Sequence, residues 1–539
     1  MTKTIQLGAS PLSLNQVIAI AKDKQQVAIA PQTRQKLQAT RDMIEANWMH
    51  DEAPLIYSFN TGVGVFKNTR IAMADIEQFQ RNLIYAHATG LGPDLPAVIV
   101  RAIMLLRLNA FMSDYSGVSL VVADRLVDCL NHDLIPAVPA QGSVGASGDL
   151  APLAHMAGAI CGFEEAFMLD PSDGSRQPAR QVLKQAGLDA DLNMEAKDAS
   201  ALINGSTVSL AIALLALVEA DNLVRHADIG LALSLEAMRC EKDAFIPEIH
   251  EARPHPGQQL VARNVLRLVG NSQRMSEPGR NLVYPAQTTS ALRPPRVQDS
   301  YSLRCAPQVH GPAREALDYV RTIVEREINS ATDNPLIVTE NGERRAVSGG
   351  HFHGQYIAQA MDLLAIAITD LSSICERRVA RLIDPIMSDG LGRNLASGQP
   401  GLNTGYATVQ CSLSALVMEN RTLSTPGSMD SIPGKGNAED HVSNSTWCAR
   451  KAAGVVNNGR MVIAGEILIA GQALSSVSEI AHELPMGDGS HAALQALRKT
   501  IEFRNDGDVW YANDMQAAAS LVDRGDLLRA CAEAVGRLE

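Results

Sequence analysis

Long segments with a helical spacing of apolar residues dominate the chain. Residues 32–48 place Leu37, Met43 and Ile44 among charged residues, which predicts an amphipathic surface helix. Residues 356–383 contain no glycine or proline and are apolar first and charged later, which predicts a long helix buried at its start. Similar patterns predict helices over four further segments: 206–237, 314–328, 407–423 and 446–480.

Connections rich in glycine and proline separate these segments. They cover residues 54–69, 137–148, 270–312 and 397–405. The third is more than forty residues long with little pattern, and loops of that length are usually functional, often as lids. Aromatic residues make up only 4% of the chain, which favours helix over sheet. We therefore expect a mainly α protein, with a mostly helical N-terminal domain over 1–200 and a long central helical bundle over 201–539 that carries an outer lid loop at about 270–312.

Composition excludes several classes of protein. Apolar residues make up 46% of the chain and charged residues 20%, as in globular proteins. A net charge of −12 argues against a nucleic-acid or anionic-membrane surface. The eight cysteines form no CxxC pair, the N-terminus lacks a signal-peptide pattern, and the longest apolar run, 210–218, is about half a membrane span. We expect a soluble, cytoplasmic protein that binds neither nucleic acid nor membrane.

The segment 142–150, GSVGASGDL, surrounds a serine with almost no side-chain bulk. Glycines at 145 and 148 allow backbone conformations that are closed to other residues. The amide nitrogen of Gly148 can therefore fold back onto the carbonyl of Ala146. Ring closure and dehydration of Ser147 would form a methylidene-imidazolone (MIO), an electrophile that no ordinary side chain supplies.

Ser147 has two plainer interpretations. The first is a helix N-cap, because acidic and helix-forming residues follow it. The second is a nucleophile elbow, which requires glycine at the position of Asp149 and is therefore rejected. The longer string GSVGASGDLAPLAHMA, residues 142–157, resembles the cofactor-forming segment of the aromatic amino acid ammonia-lyases and aminomutases. The resemblance implies that Ala146, Ser147 and Gly148 form the MIO group autocatalytically.

An inner loop supplies the predicted base. The string YSFNTGVG, residues 57–64, resembles the family's YGxNTGxG, and the resemblance assigns removal of the substrate β-proton to Tyr57. A tyrosine, whose ordinary pKa is about 10, becomes a strong base where a site stabilises its phenolate. The glycines do not form a dinucleotide fingerprint, because Lys67 stands where the third glycine is needed. We expect no nucleotide cofactor.

An outer loop resembles the family segment VQDPYSLRC. Here it reads VQDSYSLRC, residues 297–305, and the resemblance implies a catalytic role for Tyr301. It places Gln298 beside the cofactor and gives Arg304 the substrate carboxylate, which a guanidinium can bind with two hydrogen bonds. The family closes this loop over its active site.

Two further residues match family positions near the cofactor. Asn204 in LINGSTVSL matches an Asn-Gly beside the MIO oxygen, where its amide binds cofactor and substrate. Phe352 in SGGHFHG falls on the family's GGNFHG. The neighbouring His351 and His353 lack an accompanying acidic or cysteine cluster, so we expect no metal.

Substrate choice rests on another resemblance. Histidine-type members carry Ser-His in the segment matching residues 80–92, and this chain has Ala86-His87. Glu419 in ALVMENRTL matches the acid of their ALASENK, and NAEDHVS at 437–443 resembles their NQEDHVS. An imidazole presents a donor and an acceptor, so His87 and Glu419 are plausible partners for the ring.

The resemblance therefore implies elimination of ammonia from L-histidine to give trans-urocanate, in a homotetramer with active sites shared among subunits. The main alternative is an MIO-dependent 2,3-aminomutase, which returns the amine to the β-carbon and makes a β-amino acid such as β-histidine. Four departures from the family pattern are compatible with it: Ala86, Ser300, His351 and Ala438. A tyrosine or phenylalanine ammonia-lyase and an inactive helical scaffold are the remaining alternatives.

Overall fold

A computed structural model describes residues 4–281, 297–434, 438–477 and 484–539. The expected mainly α fold is confirmed. In the first part of the chain the helices are Leu14–Ala21, Pro31–Trp48, Ile76–His87, Ala97–Phe111, Leu120–Asn131, Leu150–Ile160, Ala179–Gln185, Asp198–Ile203 and Thr207–Ala237. The later helices are Pro247–Glu251, Pro256–Val269, Glu277–Arg280, Tyr301–Arg304, Pro307–Ile328, Gln355–Leu382, Ala407–Leu423, Ser445–Val477, Asp488–Arg498, Tyr511–Arg524 and Asp526–Val535.

The strands are short and form small separate sheets. Ile5–Leu7 pairs in parallel with Val27–Ile29, and Leu91–Asp94 pairs antiparallel with Pro139–Gln141. A three-stranded antiparallel sheet contains Ile135–Pro136, Phe167–Leu169 and Arg176–Pro178. The hairpin Leu336–Glu340 with Glu343–Val347 turns at Asn341 and Gly342, which both have positive φ. These sheets are too small to form a core, so helix packing provides it.

The described contacts divide the chain into two compact units. The first contains Met1–Leu215, Arg321–Asp362 and Pro426–Arg450. The second contains Ala216–Val320, Leu363–Thr425 and Lys451–Glu539. The expected division at residue 200 lies near the end of the first range, but the sequence pattern does not indicate that two later segments return to the first unit.

The core of the first unit lies along the helix Ala97–Phe111, which is buried from Val100 onward. Beside it, a second cluster joins Ile44 and Trp48 to Phe59 of the inner loop. The rings of Trp48 and Phe59 meet edge to face with centroids 5.2 Å apart, a geometry that favours aromatic pairs. Phe59 thus attaches the inner loop to the core, two residues after Tyr57.

The second unit buries charged side chains among its long helices. Asp228 and His310 are fully buried and their Oδ1 and Nδ1 atoms lie 2.9 Å apart. Burial alone raises the pKa of Asp228, but the charge of Arg314 and the hydrogen bond from His310 outweigh it and lower that pKa. Buried charges require such pairing because desolvation is costly.

The six long helices expected from periodicity are present, with ends within a few residues of those predicted. The helix expected at 446–480 is described as far as Val477, because residues 478–483 lie outside the described ranges. One exception is the helix expected at 314, which begins at Pro307 and runs through Pro312. The expected lid loop at 270–312 lies partly outside the described residues, at 282–296. Its described parts contain the short helices Glu277–Arg280 and Tyr301–Arg304, which its sparse sequence pattern does not predict.

Three helices among the described residues are long and apolar enough, by length and composition, to cross a membrane. They are Thr207–Ala237, Gln355–Leu382 and Ser445–Val477. Between 61% and 78% of their most apolar windows is buried inside the protein, which is how core helices are accommodated. The apolar windows of these helices are 18 residues long, about twice the length of the longest uninterrupted apolar run, 210–218.

Candidate active site

A cavity of about 560 Å³ in the first unit brings together four of the residues singled out from the sequence. Tyr57, His87, Ser147 and Asn204 all line it. The departures Ala86 and Ala438 also line it, as does Glu439. Much of the remaining wall is apolar: Val63, Phe66, Ile71, Phe79, Leu83 and Ile203. A mostly apolar wall with a few convergent polar groups is typical of small-molecule sites.

The backbone around Ser147 is shaped by glycine. Gly145 and Gly148 have φ values of 68° and 75°, a region that side-chain-bearing residues rarely adopt. A side chain at Gly148 would collide with the backbone of Gly205, and one at Gly145 would collide with the hydroxyl of Ser443. The amide of Asp149 donates to the carbonyl of Gly205 at 2.8 Å, which holds the two segments together. Only glycine fits these two positions.

The hydroxyl of Ser147 faces a carboxylate. Ser147 Oγ donates to Glu439 Oε1 at 3.1 Å. The N-cap interpretation of Ser147 is wrong, because the helix Leu150–Ile160 has Asp149 at its N-cap position. The N-terminus of that helix lies next to Ser147 in the chain, and helix N-termini carry a partial positive charge that favours nearby negative charge.

Asp149 ties the segment to the helices around it. It is fully buried, and one carboxylate oxygen accepts from Ser209 N at 2.8 Å and from Ser209 Oγ at 3.1 Å. The other accepts from Ser143 Oγ at 3.2 Å and from the Thr446 hydroxyl. Burial raises the pKa of Asp149, while these hydrogen bonds oppose the rise. Asp149 therefore fixes the backbone that follows the Ala146–Gly148 tripeptide.

The inner loop holds Tyr57 at the cavity through its own buried residues. Asn60 is fully buried, and its amide donates to Trp48 O at 3.1 Å and Pro54 O at 3.0 Å. Its side-chain oxygen accepts from Ile56 N at 2.8 Å. Tyr57 is half-buried, and its hydroxyl accepts from the backbone N–H of Gly64 at 3.2 Å. The buried contacts of Asn60 thus fix the inner loop that places the Tyr57 ring at the cavity.

Asn204 carries an unsatisfied buried atom. Its side-chain Oδ1 is buried and has no hydrogen-bond partner among the described residues, although the residue lines the cavity. An unsatisfied buried polar atom costs about 1–3 kcal/mol, and the two ends of an amide exchange by rotation. A ring built from residues 146–148, with its own hydrogen-bonding atoms, fits beside this amide. The glycine cradle and the orphaned amide thus both suit the expected MIO group.

His87 ends the helix Ile76–His87 and has a defined tautomer. Its Nδ1 lies 2.7 Å from the carbonyl oxygen of Leu83, and a carbonyl only accepts. In the neutral ring Nδ1 therefore carries the proton and Nε2 is the acceptor. His87 is one of the polar residues that line the cavity.

The remaining predicted residues lie elsewhere in the chain's structure. Gln298 and Arg304 line a different cavity, of about 430 Å³, in the second unit. Arg304 Nε donates to Asp299 O at 2.9 Å, and its guanidinium lies 4.7 Å from the ring of Tyr301, which is 70% exposed. Tyr301 and Arg304 thus lie side by side on one short helix, as the outer-loop resemblance implies.

Glu419 and Phe352 are not among the residues that line the first cavity. Glu419 is exposed on the helix Ala407–Leu423 of the second unit. Phe352 is half-buried in a turn before the helix Gln355–Leu382. The acidic residue in the cavity is Glu439, which sequence reasoning missed although it stands in the segment NAEDHVS. The acid pair of that motif, Glu439 and Asp440, is the sequence signal that indicates it. Asn437 of the same motif lies outside the described residues.

The histidines near Phe352 do not assemble a metal centre. His351 is exposed, while His353 Nε2 lies 3.1 Å from His441 Nδ1. Within the described ranges, no group of three or more histidine, cysteine, aspartate or glutamate residues has the geometry to hold a metal ion. The two rings instead share a hydrogen bond close to Glu439 in the chain.

Comparison with known proteins matches this arrangement to one family. A model of the family "Aromatic amino acid lyase" matches residues 12–499. A histidine ammonia-lyase of Myxococcus xanthus is 41% identical, covering 98% of each chain. The structure is similar to a tyrosine aminomutase of Streptomyces globisporus, with a TM-score of 0.89 and 32% identity over 100% of both chains. It is also similar to a histidine ammonia-lyase of Trypanosoma cruzi, with a TM-score of 0.86 and 32% identity over 99% of this chain and 95% of the other. The chain belongs to the aromatic amino acid lyase family.

Proposed function

We propose that this enzyme eliminates ammonia from L-histidine and forms trans-urocanate. The observation that carries the proposal is the meeting of Tyr57, His87, Ser147 and Glu439 in one cavity. A base, two partners for an imidazole and the residue that forms the electrophile are what such a reaction needs. The 41% identity to a histidine ammonia-lyase over nearly the full chain supports the same substrate.

The electrophile would form from Ala146, Ser147 and Gly148 without another protein. Attack of the Gly148 nitrogen on the Ala146 carbonyl carbon closes the ring with loss of one water, and dehydration of Ser147 releases a second. The positive φ of Gly145 and Gly148 supports the tight turn that closure requires. When present, the MIO group supplies an electrophilic carbon that turns the substrate amine into a leaving group.

The cavity side chains would bind and orient histidine. His87 Nε2 accepts the N–H of the substrate imidazole, and the Glu439 carboxylate accepts from the ring's other nitrogen when that nitrogen is protonated. Charged acceptors make the stronger hydrogen bonds. The resemblance gives the substrate carboxylate to Arg304, whose guanidinium matches it with two parallel hydrogen bonds.

Proton removal falls to Tyr57. Its phenolate takes the β-proton, the electrons of that C–H bond form the new C=C bond, and the bond from the α-carbon to nitrogen breaks. Nitrogen leaves with its protons as ammonia, and Tyr57 keeps one proton to return to solvent. The N–H of Gly64 at 3.2 Å from the Tyr57 oxygen stabilises the phenolate.

Other roles follow from the family resemblance. Tyr301 acts in catalysis, Gln298 and Phe352 surround the cofactor, and Asn204 polarises its oxygen. The family resemblance also implies a homotetramer with shared active sites, and we further propose that assembly and a location in the cytoplasm. Glu419 remains a candidate acid of that assembled site.

A 2,3-aminomutase is the second candidate, and the likeness to the tyrosine aminomutase of Streptomyces globisporus favours it. The test is to incubate the purified protein with L-histidine and identify the products by chromatography. Urocanate and ammonia in equal amounts support the lyase. Mostly β-histidine contradicts the lyase, and no turnover of histidine contradicts the substrate assignment.

A further inference from the structure

Arg107 is a fully buried cation behind the cavity wall. It lies on the helix Ala97–Phe111 with no exposed surface. Its hydrogen bonds go to neutral oxygens, from Nη1 to Asn204 O at 2.5 Å and from Nη2 to Thr332 Oγ1 at 3.3 Å. Its Nε has no hydrogen-bond partner among the described residues. Burial lowers the pKa of Arg107, and the charges of Asp333 and Asp149 oppose this shift without reversing it. A buried guanidinium is costly, so a position that retains one requires a reason.

The guanidinium packs directly on the peptide between Asn204 and Gly205. Gly205 has φ of 131°, and a side chain there would collide with Arg107 Nη1 and with Thr332. The absence of a side chain at 205 is therefore what lets the arginine reach the Asn204 carbonyl. The close approach fixes the orientation of this peptide plane.

The same peptide is paired with the tripeptide that forms the electrophile. The N–H of this peptide, on Gly205, donates to Ser147 O at 3.4 Å. The carbonyl of the next peptide, Gly205 O, accepts from Asp149 N at 2.8 Å. The Asn204 side chain lines the cavity with its Oδ1 unsatisfied. Arg107 thus binds the carbonyl of the Asn204–Gly205 peptide, and the N–H of the same peptide binds Ser147 O. The side chain of Asn204 lines the cavity.

We propose that Arg107 is a positioning residue of the active site, which acts by holding the Asn204 amide against the reacting group. The inference rests on the proposed function, because Asn204 matters only if the site performs that chemistry. Arg107 touches neither substrate nor cofactor. Its effect passes through the backbone of residues 204–205, so loss of Arg107 should lower kcat far more than it changes KM.

The chain offers a matched control on the same helix. Arg101 is also almost completely buried, and burial lowers its pKa as well. Its guanidinium bonds to Ile20 O and Leu130 O and pairs with Asp133 at 2.8 Å, all away from the residues that line the cavity. Arg101→Met therefore removes a buried guanidinium from the same helix and tests the cost of that loss alone.

The experiment compares Arg107→Met, Arg101→Met, Asn204→Ala and the double variant Arg107→Met/Asn204→Ala. Mass spectrometry of the peptide containing Ser147 gives the fraction of sites that have lost two waters, and steady-state kinetics with L-histidine give kcat and KM. We expect kcat per cyclised site to fall at least ~30-fold in Arg107→Met, with KM within ~3-fold, since losing one oriented polar group costs ~10²–10³. Arg101→Met should stay within ~2-fold of wild type despite a lower thermal midpoint.

The double variant decides whether Arg107 acts through Asn204. If it does, Arg107→Met adds less than ~3-fold to the loss caused by Asn204→Ala, because coupled residues are not additive. Multiplicative losses, or equal losses of kcat per cyclised site in Arg107→Met and Arg101→Met, overturn the proposal. If Arg107→Met fails to fold, Arg107→Lys, which keeps the positive charge, replaces it in the same comparison with Asn204→Ala. We then expect kcat per cyclised site to fall at least ~5-fold. If the wild type itself forms no urocanate or keeps both waters, the proposed function falls, and this inference with it.

Discussion

Replacing Glu439 with glutamine isolates the charge of the cavity's carboxylate. Glutamine has nearly the same shape, so the wall and its volume are kept. Before ring closure, the amide oxygen can also accept from Ser147 Oγ, as Glu439 Oε1 does at 3.1 Å. What is lost is the negative charge that, in the proposed function, accepts a hydrogen bond from the substrate ring.

The size of the effect follows from the strength of a charged hydrogen bond. Such a bond contributes about 1.5–3 kcal/mol, compared with about 1 kcal/mol for a neutral one. The difference is about 0.5–2 kcal/mol. Because each 1.4 kcal/mol is a factor of ten, Glu439→Gln should lower kcat/KM for L-histidine by roughly 2- to 30-fold. Folding should be unaffected, since the residue is only half-buried.

The assay is urocanate formation measured by its ultraviolet absorbance, with Glu419→Gln as the comparison. The cavity geometry predicts the larger loss for Glu439, because Glu419 is not among the residues that line the cavity. The fraction of cyclised Ser147 peptide is measured in both variants, so that a failure of ring closure is separated from a loss of catalysis. A Glu439→Gln enzyme within ~2-fold of wild type, or a larger loss in Glu419→Gln, would refute this reasoning.

Four further outcomes are expected. Ser147→Ala should fold with a thermal midpoint close to wild type yet form no urocanate, since no other residue supplies the electrophile; measurable turnover would contradict it. Tyr57→Phe should lower kcat at least ~10²-fold with little change in KM, and near-normal kcat would move the base elsewhere. His87→Leu should depress histidine turnover and relax selectivity toward phenylalanine, because leaving a polar group of the substrate imidazole without its partner costs ~1–3 kcal/mol. Unchanged selectivity, measured by competition between the two amino acids, would exclude His87 as a ring partner. Burial raises the pKa of Glu327 from 4.5 to about 6, so the folded state binds that proton more tightly and stability falls as pH rises through this window. Glu327→Gln should therefore raise the thermal midpoint at pH 8 by the equivalent of up to about 2 kcal/mol and leave it unchanged at pH 4. An equal shift of the midpoint at pH 4 and pH 8 would contradict the raised pKa of Glu327.

The long helices could be predicted because their apolar periodicity is local. The segments 407–423 and 356–383 correspond to helices Ala407–Leu423 and Gln355–Leu382, with ends displaced by at most one residue. The outer-loop region was less accessible. Tyr301–Arg304 and the first turns of Pro307–Ile328 lie where glycine and proline suggest an irregular loop. Their helical conformation comes from tertiary contacts such as that of buried His310 with Asp228, which no local pattern reveals.

The composition of the two units also lies beyond local reasoning. Residues 321–362 and 426–450 join the first unit although more than a hundred residues separate them from its first range. Only long-range contacts determine such returns, for instance Ser147 with Glu439 and Asp149 with Thr446. A sequence pattern assigns elements but not their partners.

The candidate site was predictable where motif and chemistry coincided. Tyr57, His87, Ser147 and Asn204 come from separate segments, and all four line one cavity. The sequence motifs pointed to Glu419 and not to Glu439, although both residues stand in segments that resemble the family. Burial and distance separate them, since one is exposed on a helix and the other lies 3.1 Å from Ser147 Oγ.

The central claim is that the chain makes its own electrophile at Ser147, and one mass measurement tests it most directly. The wild-type protein, expressed alone and digested, should yield a peptide spanning Ala146–Gly148 that is lighter by two waters than its sequence mass. The same peptide from Ser147→Ala should not show this loss. A wild-type peptide of full sequence mass, taken from protein that converts L-histidine to urocanate, would contradict the account.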